Sequence, residues 1–308
     1  MILSICPNPS IDCTIELDSL NVGKLNRIDN KVETYSGKAL NVAIGVARLG
    51  AESLATGFMF ENHQRMFEHN LTKEKVKFSF VYNGGNARTN YKIIDNRSML
   101  TEINDKGEEV PEDKQIQLIE HVARLSKGVS VAVMSGSLPK GVPHEFYGDV
   151  VKAIPSDVKV IIDAETDNTK SAMFSREIYM VKPNLAELEA FTLQRVLTKT
   201  DILHAAYKYI DKGVKYVMVS MGADGAILTD GTNSYYCKSA SVAVNSTVGA
   251  GDSMVAAASV AFEEGVSEEE VLRRAVAAGT AAVTTSGTNL FYKDKYEEIY
   301  QKVYVKKL

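Results

Sequence analysis

The sequence predicts an α/β fold: a mostly parallel central sheet with helices on both faces, plus a small antiparallel β lid. Three observations carry that expectation. Short β-rich runs, apolar along most of their length, alternate with segments of helical period, the pattern of strands buried on both faces. Two further pairs of strand-like runs have no helix between them. The 308 residues are 45% apolar and 24% charged, which allows a large core and argues against a disordered, collagenous or coiled-coil chain.

The elements follow in order. Ile2–Cys6 is the first buried run, bounded by Pro7 and Asn8. Asp12–Leu17 and Arg27–Tyr35 then read as two strands without a connecting helix, and helical period spans Ala39–Leu49. Ser53–Phe58 is the next strand. Arg88–Ile94 and Ser98–Ile103 flank Asp95-Asn96-Arg97, a short polar turn of hairpin type. These two pairs, about 12–35 and 88–103, are expected to form the lid, closing over the substrate edge and excluding water. Edge strands of the central sheet are the plainer alternative. Pro111–Leu125 is helical, Val129–Met134, Val158–Ile162 and Ile178–Val181 are strands, Asn184–Phe191 and Asp201–Lys212 are helices, and Tyr216–Val219 is a strand. Right-handed crossovers then gather the loops at the carboxyl ends of the strands, where ligands bind. Residues 1–308 are read as one domain carrying the lid as an insertion.

A net charge of −4 gives no electrostatic reason to expect nucleic acid. No apolar run approaches the ~18 residues of a membrane span, and MILSICPNPSID meets Pro and Asp too early for a secretory signal. Cys6, Cys13 and Cys237 are odd in number and far apart, so neither a disulfide framework nor a Cys-rich zinc site is expected, and a reducing cytoplasm is the expected compartment.

The strongest local signal is Asn245–Ser253 ahead of the Ala-rich helical run Met254–Phe262. Gly249 and Gly251 leading into a helix free several backbone N–H groups to point at one spot, aided by the helix dipole. An isolated Asp252 there is explained by the dipole alone; the glycine pair, the acid and the small-residue helix together point to a phosphate site. Commoner phosphate motifs fail. Met254 stands where G-x-G-x-x-G needs its third glycine, and Gly37-Lys38 is followed by Ala39 with Val32 five positions before Gly37, so there is no Walker loop. The five histidines lack metal-ligand spacing, and no G-x-S-x-G elbow occurs.

Five blocks then stand in order: Asn8-Pro9-Ser10-Ile11-Asp12, Ser135-Gly136-Ser137-Leu138-Pro139, Lys182-Pro183-Asn184-Leu185-Ala186-Glu187, Val219 to Gly225, and Asn245–Ser253. With them the chain resembles, over nearly its whole length, the ribokinase-like (PfkB) carbohydrate kinases, in the branch of 1-phosphofructokinases and tagatose-6-phosphate kinases. The resemblance implies ATP and Mg²⁺ as cofactors and a sugar phosphate as the acceptor. It makes Asp252 the general base, with the N–H groups of Gly249, Ala250 and Gly251 cradling the transferring phosphoryl oxygens. Lys182, Asn184, Glu187, Ser220, Gly222 and Gly225 fall on the nucleotide side, with Asn184 and Glu187 organising Mg²⁺ through water. Their i, i+3 spacing is equally that of a plain capping box, and the glycines suit an ordinary β-turn.

On the acceptor side, Asp12 matches the family aspartate that binds sugar hydroxyls, with Gly37 and Asn41 close by. Lys38, Arg27 and Arg88 are candidates for the phosphate already on the sugar, with Lys24 and Ser137 behind them. One departure stands out. Where the family usually has Gly-Gly-Lys-Gly, this chain has Ser36-Gly37-Lys38-Ala39, and each added side chain narrows the sugar site. Arg88-Thr89-Asn90-Tyr91-Lys92 followed by Thr101-Glu102-Ile103-Asn104 looks more like the 1-phosphofructokinase side. The expected reaction is therefore ATP-dependent phosphorylation of D-fructose 1-phosphate to fructose 1,6-bisphosphate, with tagatose 6-phosphate as the second candidate substrate. A non-catalytic sugar-phosphate sensor on the same fold is the rival reading. By the same resemblance, a homodimer through the lid is expected.

Overall fold

Apolar runs become parallel strands where both of their faces can be covered, and the structure, a computed structural model, bears this out along most of the chain. It describes residues 1–97, 99–285 and 290–308. β1 (Ile2–Cys6) leads into β2 (Ser10–Glu16), β3 (Asn30–Ser36), α1 (Lys38–Arg48), β4 (Ser53–Phe60) and α2 (Gln64–Lys73). β5 (Lys77–Phe78), β6 (Val81–Asn83), β7 (Arg88–Ile94), β8 (Leu100–Asn104), α3 (Glu112–Leu125), β9 (Val131–Ser135) and α4 (Glu145–Ala153) come next. Then follow β10 (Lys159–Asp163), α5 (Thr166–Ser175), β11 (Ile178–Val181), α6 (Leu185–Thr192), α7 (Lys199–Ile210) and β12 (Val214–Ser220). A 3-10 turn at Gly222–Asp224 precedes β13 (Ala226–Thr229) and β14 (Ser234–Cys237). α8 (Ala250–Glu264), α9 (Glu268–Ala282), α10 (Lys293–Tyr300) and β15 (Val305–Lys307) complete the described elements.

The central sheet runs β15-β14-β13-β12-β11-β10-β9-β1-β4-β5, with β6 also paired to β4. From β12 to β5 every pairing is parallel; β12 to β15 pair antiparallel. Alternate residues feed two cores. Leu3, Ile5, Ala132, Met134, Val160 and Ile162 pack on one side, while Ile2, Val131, Val133, Ile161 and Met180 pack on the other beneath α8 and α9. The antiparallel extension β13–β15 was not foreseen: its strands are only three or four residues long, the apolar stretch of β13 (Ala226–Thr229) is too short to stand out, and β14 and β15 hold Ser, Tyr and Lys.

The lid is a sheet of its own, ordered β3-β2-β7-β8, not an edge of the central layer. β2 pairs antiparallel with β3 and parallel with β7, and β7 and β8 form the expected antiparallel pair. Ser98, the first residue of one predicted lid strand, lies outside the described residues; β8 begins at Leu100. The predicted strand from Arg27 begins instead at Asn30, because 27–29 belong to an exposed connection.

Close helix packing positions the site. A Cβ on Gly45 of α1 would sit 2.7 Å from the Cβ of Ala256 in α8. Only glycine allows that approach, and it brings the first turns of α1 and α8 side by side.

Candidate active site

A cavity of about 480 Å³ lies between the lid and the carboxyl ends of β9 to β12. α8 enters it with Gly249 as N-cap in the left-handed region (φ 81°), which frees the first amides of the helix to face the cavity. Gly249, Gly251 and Asp252 line it; Ala250 does not. A side chain at Gly251 would press within 3.3 Å of Lys182 Nζ. Asp252 is buried, and Asn41 Nδ2 donates to its Oδ2 at 2.8 Å. Burial pushes the Asp252 carboxyl up to about 6, offset in part by the Lys38 ammonium and reinforced by the Asp163 carboxylate. Asn41, expected on the acceptor side, lines the cavity, and its amide also orients the Asp252 carboxylate.

Asp163, at the end of β10, is the main residue that sequence reasoning missed. Its Oδ1 lies 3.2 Å from Lys182 Nζ and its Oδ2 lies 3.8 Å from Lys38 Nζ. Ser135 Oγ donates to the Asp163 carbonyl at 2.9 Å and reaches Oδ2 at 3.4 Å. Burial works to raise this carboxyl, but Lys182 and Lys38 outweigh it and hold Asp163 below the usual carboxylate range. Asp163 in turn holds the Lys38 ammonium well above its ordinary value. One buried acid therefore holds the ends of two lysine side chains beside the first turn of α8. That is a place for a polyanion.

The lid supplies the opposite wall through period-two geometry. Ser10 and Asp12 on β2, Ser36 on β3, Arg88, Asn90 and Lys92 on β7, and Glu102 and Asn104 on β8 all line the cavity. Alternation of side chains puts each set on one face. Lys92 Nζ pairs with Asp12 Oδ2 at 3.4 Å, both groups buried. Arg88 donates to the Asn8 carbonyl at 3.3 Å, and burial lowers its guanidinium somewhat. Ser137 and Gly37 line the cavity as expected. Arg27 and Lys24 do not: both are exposed in the β2–β3 connection and leave the cationic positions on this side to Arg88 and Lys92.

The chain matches the pfkB family of carbohydrate kinases over residues 7–295. It belongs to that family. Among its relatives, this PfkB kinase is 30% identical to the tagatose-6-phosphate kinase of Staphylococcus epidermidis over 308 residues, 99% of each chain. It is 28% identical to the 1-phosphofructokinase of Vibrio cholerae, covering 100% of this chain and 97% of that one. Its fold superposes on Escherichia coli phosphofructokinase-2 in complex with substrates and products with a TM-score of 0.91, at 30% identity and 98% coverage of both chains.

Of the residues of this PfkB kinase expected to meet the nucleotide, Lys182, Asn184, Glu187 and Ser220 line the cavity, and the Pro183 carbonyl accepts from Ser220 N at 3.0 Å. Asn184 and Glu187 form a capping box at the start of α6: Glu187 N donates to Asn184 Oδ1 at 2.9 Å, and Asn184 N donates to Glu187 Oε2 at 2.8 Å. Among the described residues, no group of three His, Cys, Asp or Glu is placed to hold a metal ion. This donor set fits a cation that keeps most of its own waters and meets the protein through Asn184 and Glu187 at second hand, as Mg²⁺ does. Gly222 and Gly225 do not line the cavity. Gly225 serves the turn: its φ is 88°, and a Cβ there would lie 1.9 Å from the Cys237 carbonyl oxygen.

Proposed function

We propose that this chain, acting over residues 1–308 as one kinase unit, transfers the γ-phosphoryl group of ATP to a ketohexose phosphate, D-fructose 1-phosphate giving D-fructose 1,6-bisphosphate. The observation that carries the reading is Asp252, buried in the first turn of α8, oriented by Asn41 and facing the lid's polar wall across one cavity. In this reading Asp252 takes the proton of the C6 hydroxyl as the new P–O bond forms. The amides that open α8 meet the phosphoryl oxygens, a stabilisation worth on the order of 3 kcal/mol of barrier. Lys38 and Lys182 neutralise the charge that spreads over the transferring group. Mg²⁺, when bound, would screen the nucleotide phosphates. Arg88 and Lys92 suit the phosphate and the hydroxyls of the acceptor.

An ADP-release assay with fructose 1-phosphate, tagatose 6-phosphate, fructose 6-phosphate and no sugar tests this. Turnover should be fastest with fructose 1-phosphate and near background without sugar. ATP consumption with none of the panel would leave a sensor on a kinase fold. The pH profile is a second check. A carboxyl raised to about 6 is ionised above that pH and protonated below it. Thus log kcat/KM, corrected for the sugar phosphate's own ionisation, should fall with unit slope below about pH 6. A profile flat between about pH 5 and 8 removes Asp252 as the base.

We further propose a homodimer joined through the lid. Val22, Leu25, Val32, Met99, Leu100 and Ile103 are exposed on it, which is more apolar surface than scattered single residues explain. Light scattering is expected to give a dimer for the wild type and a monomer for Val32→Lys combined with Leu100→Lys. A monomeric wild type contradicts the proposal.

A further inference from the structure

Asp12, the carboxylate at the centre of the lid wall, already meets four donors of its own chain. Ser10 Oγ (3.4 Å) and Asn90 Nδ2 (3.2 Å) reach Oδ1, while Ser36 Oγ (3.2 Å) and Lys92 Nζ (3.4 Å) reach Oδ2. An ionised carboxylate offers about four lone-pair positions. A sugar hydroxyl that approaches Asp12 therefore finds each of them engaged.

The four donors are not equivalent. An ammonium and an amide NH₂ can only donate, whereas a serine hydroxyl that donates keeps its lone pairs. Ser10 and Ser36 are thus the two members able to accept through the same group that meets Asp12; Asn90 keeps a further acceptor, its Oδ1, but that atom is itself fully buried. They are register partners across β2 and β3, both are buried, and both line the cavity. Ser36 makes the shorter contact with Asp12 and is separated from Lys38 by Gly37 alone.

We propose that Ser36 is a specificity-determining residue of the sugar site: its hydroxyl, polarised by the Asp12–Lys92 pair, accepts the hydrogen bond from a substrate hydroxyl. The inference rests on the sugar-phosphate kinase reading above. In a chain with glycine here, that hydroxyl would meet the carboxylate itself. With serine between them it sits one oxygen further out, about 2.8 Å. Ketohexose epimers differ in where a single hydroxyl points, so an acceptor fixed at this distance distinguishes them.

The test uses steady-state kinetics on the full chain, with the best substrate of the panel and its C4 epimer. Ser36→Ala is expected to raise KM for the sugar phosphate about tenfold, the loss of one polarised hydrogen bond to substrate. Its kcat should stay within about twofold, KM for ATP should be unchanged, and the preference for one epimer should shrink by a similar factor. Ser36→Thr, which keeps the hydroxyl, should restore KM to within about threefold of the wild type. Ser36→Gly, read by the same measurements and by its melting temperature, covers the case in which the alanine variant folds poorly. Unchanged KM and epimer ratio in Ser36→Ala overturn the proposal. So does a lower KM in Ser36→Gly, which would make the serine an obstruction. A joint change of kcat, both KM values and melting temperature assigns Ser36 a merely structural role and also overturns it. A wild type that phosphorylates no sugar phosphate is seen before any variant is made; it removes the functional reading and this inference together.

Discussion

Asp252→Asn is expected to lower kcat about a thousandfold, the usual scale for losing a positioned base, while leaving ATP binding measurable by calorimetry. The same substitution should raise thermal stability. The folded-state carboxyl is pushed up to about 6 from 3.8, chiefly by burial. The folded protein therefore binds more protons than the unfolded chain between those values, and stability falls as pH rises through that window. Near neutrality the charged carboxylate costs the fold on the order of 3 kcal/mol, which a neutral isostere avoids in part because Lys38 loses an attraction. A variant with full turnover ends the role given to Asp252. One with a lower melting temperature ends the account of its carboxyl.

Asp163→Asn should act in the opposite direction. Lys182 and Lys38 hold the Asp163 carboxyl below its ordinary value, so its charge contributes stability at neutral pH that is lost as pH falls through the folded value. Removing that charge leaves Lys182, with a side chain only 5% exposed, without its buried counterion. Breaking such a pair typically costs about 3–5 kcal/mol. Urea unfolding at pH 7 should show a clearly lower midpoint, accompanied by a raised KM for ATP as Lys38 and Lys182 lose their anchor. An unchanged midpoint means the pair is worth little and the lysines are held by other means. Two neighbouring Asp-to-Asn changes with opposite signs make a sharper test than either alone.

Much of this arrangement was legible beforehand, for reasons that differ by element. β1, β9, β10 and β11 are near-continuous apolar runs, and only strands buried on both faces need that. Gly249, Gly251 and Asp252 declared themselves because glycines, an acid and a small-residue helix coincide. Asp163 did not, since a lone acid after Val160-Ile161-Ile162 reads as a strand boundary; its position at a carboxyl end was the available signal. Asn90 and Lys92 were within reach, as they alternate with Arg88 on a strand already recognised. Arg27 was favoured for its charge and its place on a predicted lid strand; that strand begins only at Asn30, which leaves Arg27 in the exposed connection before it. The capping geometry of Asn184 and Glu187 was foreseen as an alternative and is present; it coexists with their place on the cavity wall.

Gly37 is the only residue between Ser36, on the lid wall of the cavity, and Lys38, which pairs with Asp163 on the opposite wall. Its φ of 152° and its packing, with a hypothetical Cβ only 2.8 Å from Cys6 Sγ, leave little slack in that joint. The chain therefore joins the two walls of the cavity by two peptide units with a tightly packed glycine between them, so the placement of Ser36 and that of Lys38 are tied together.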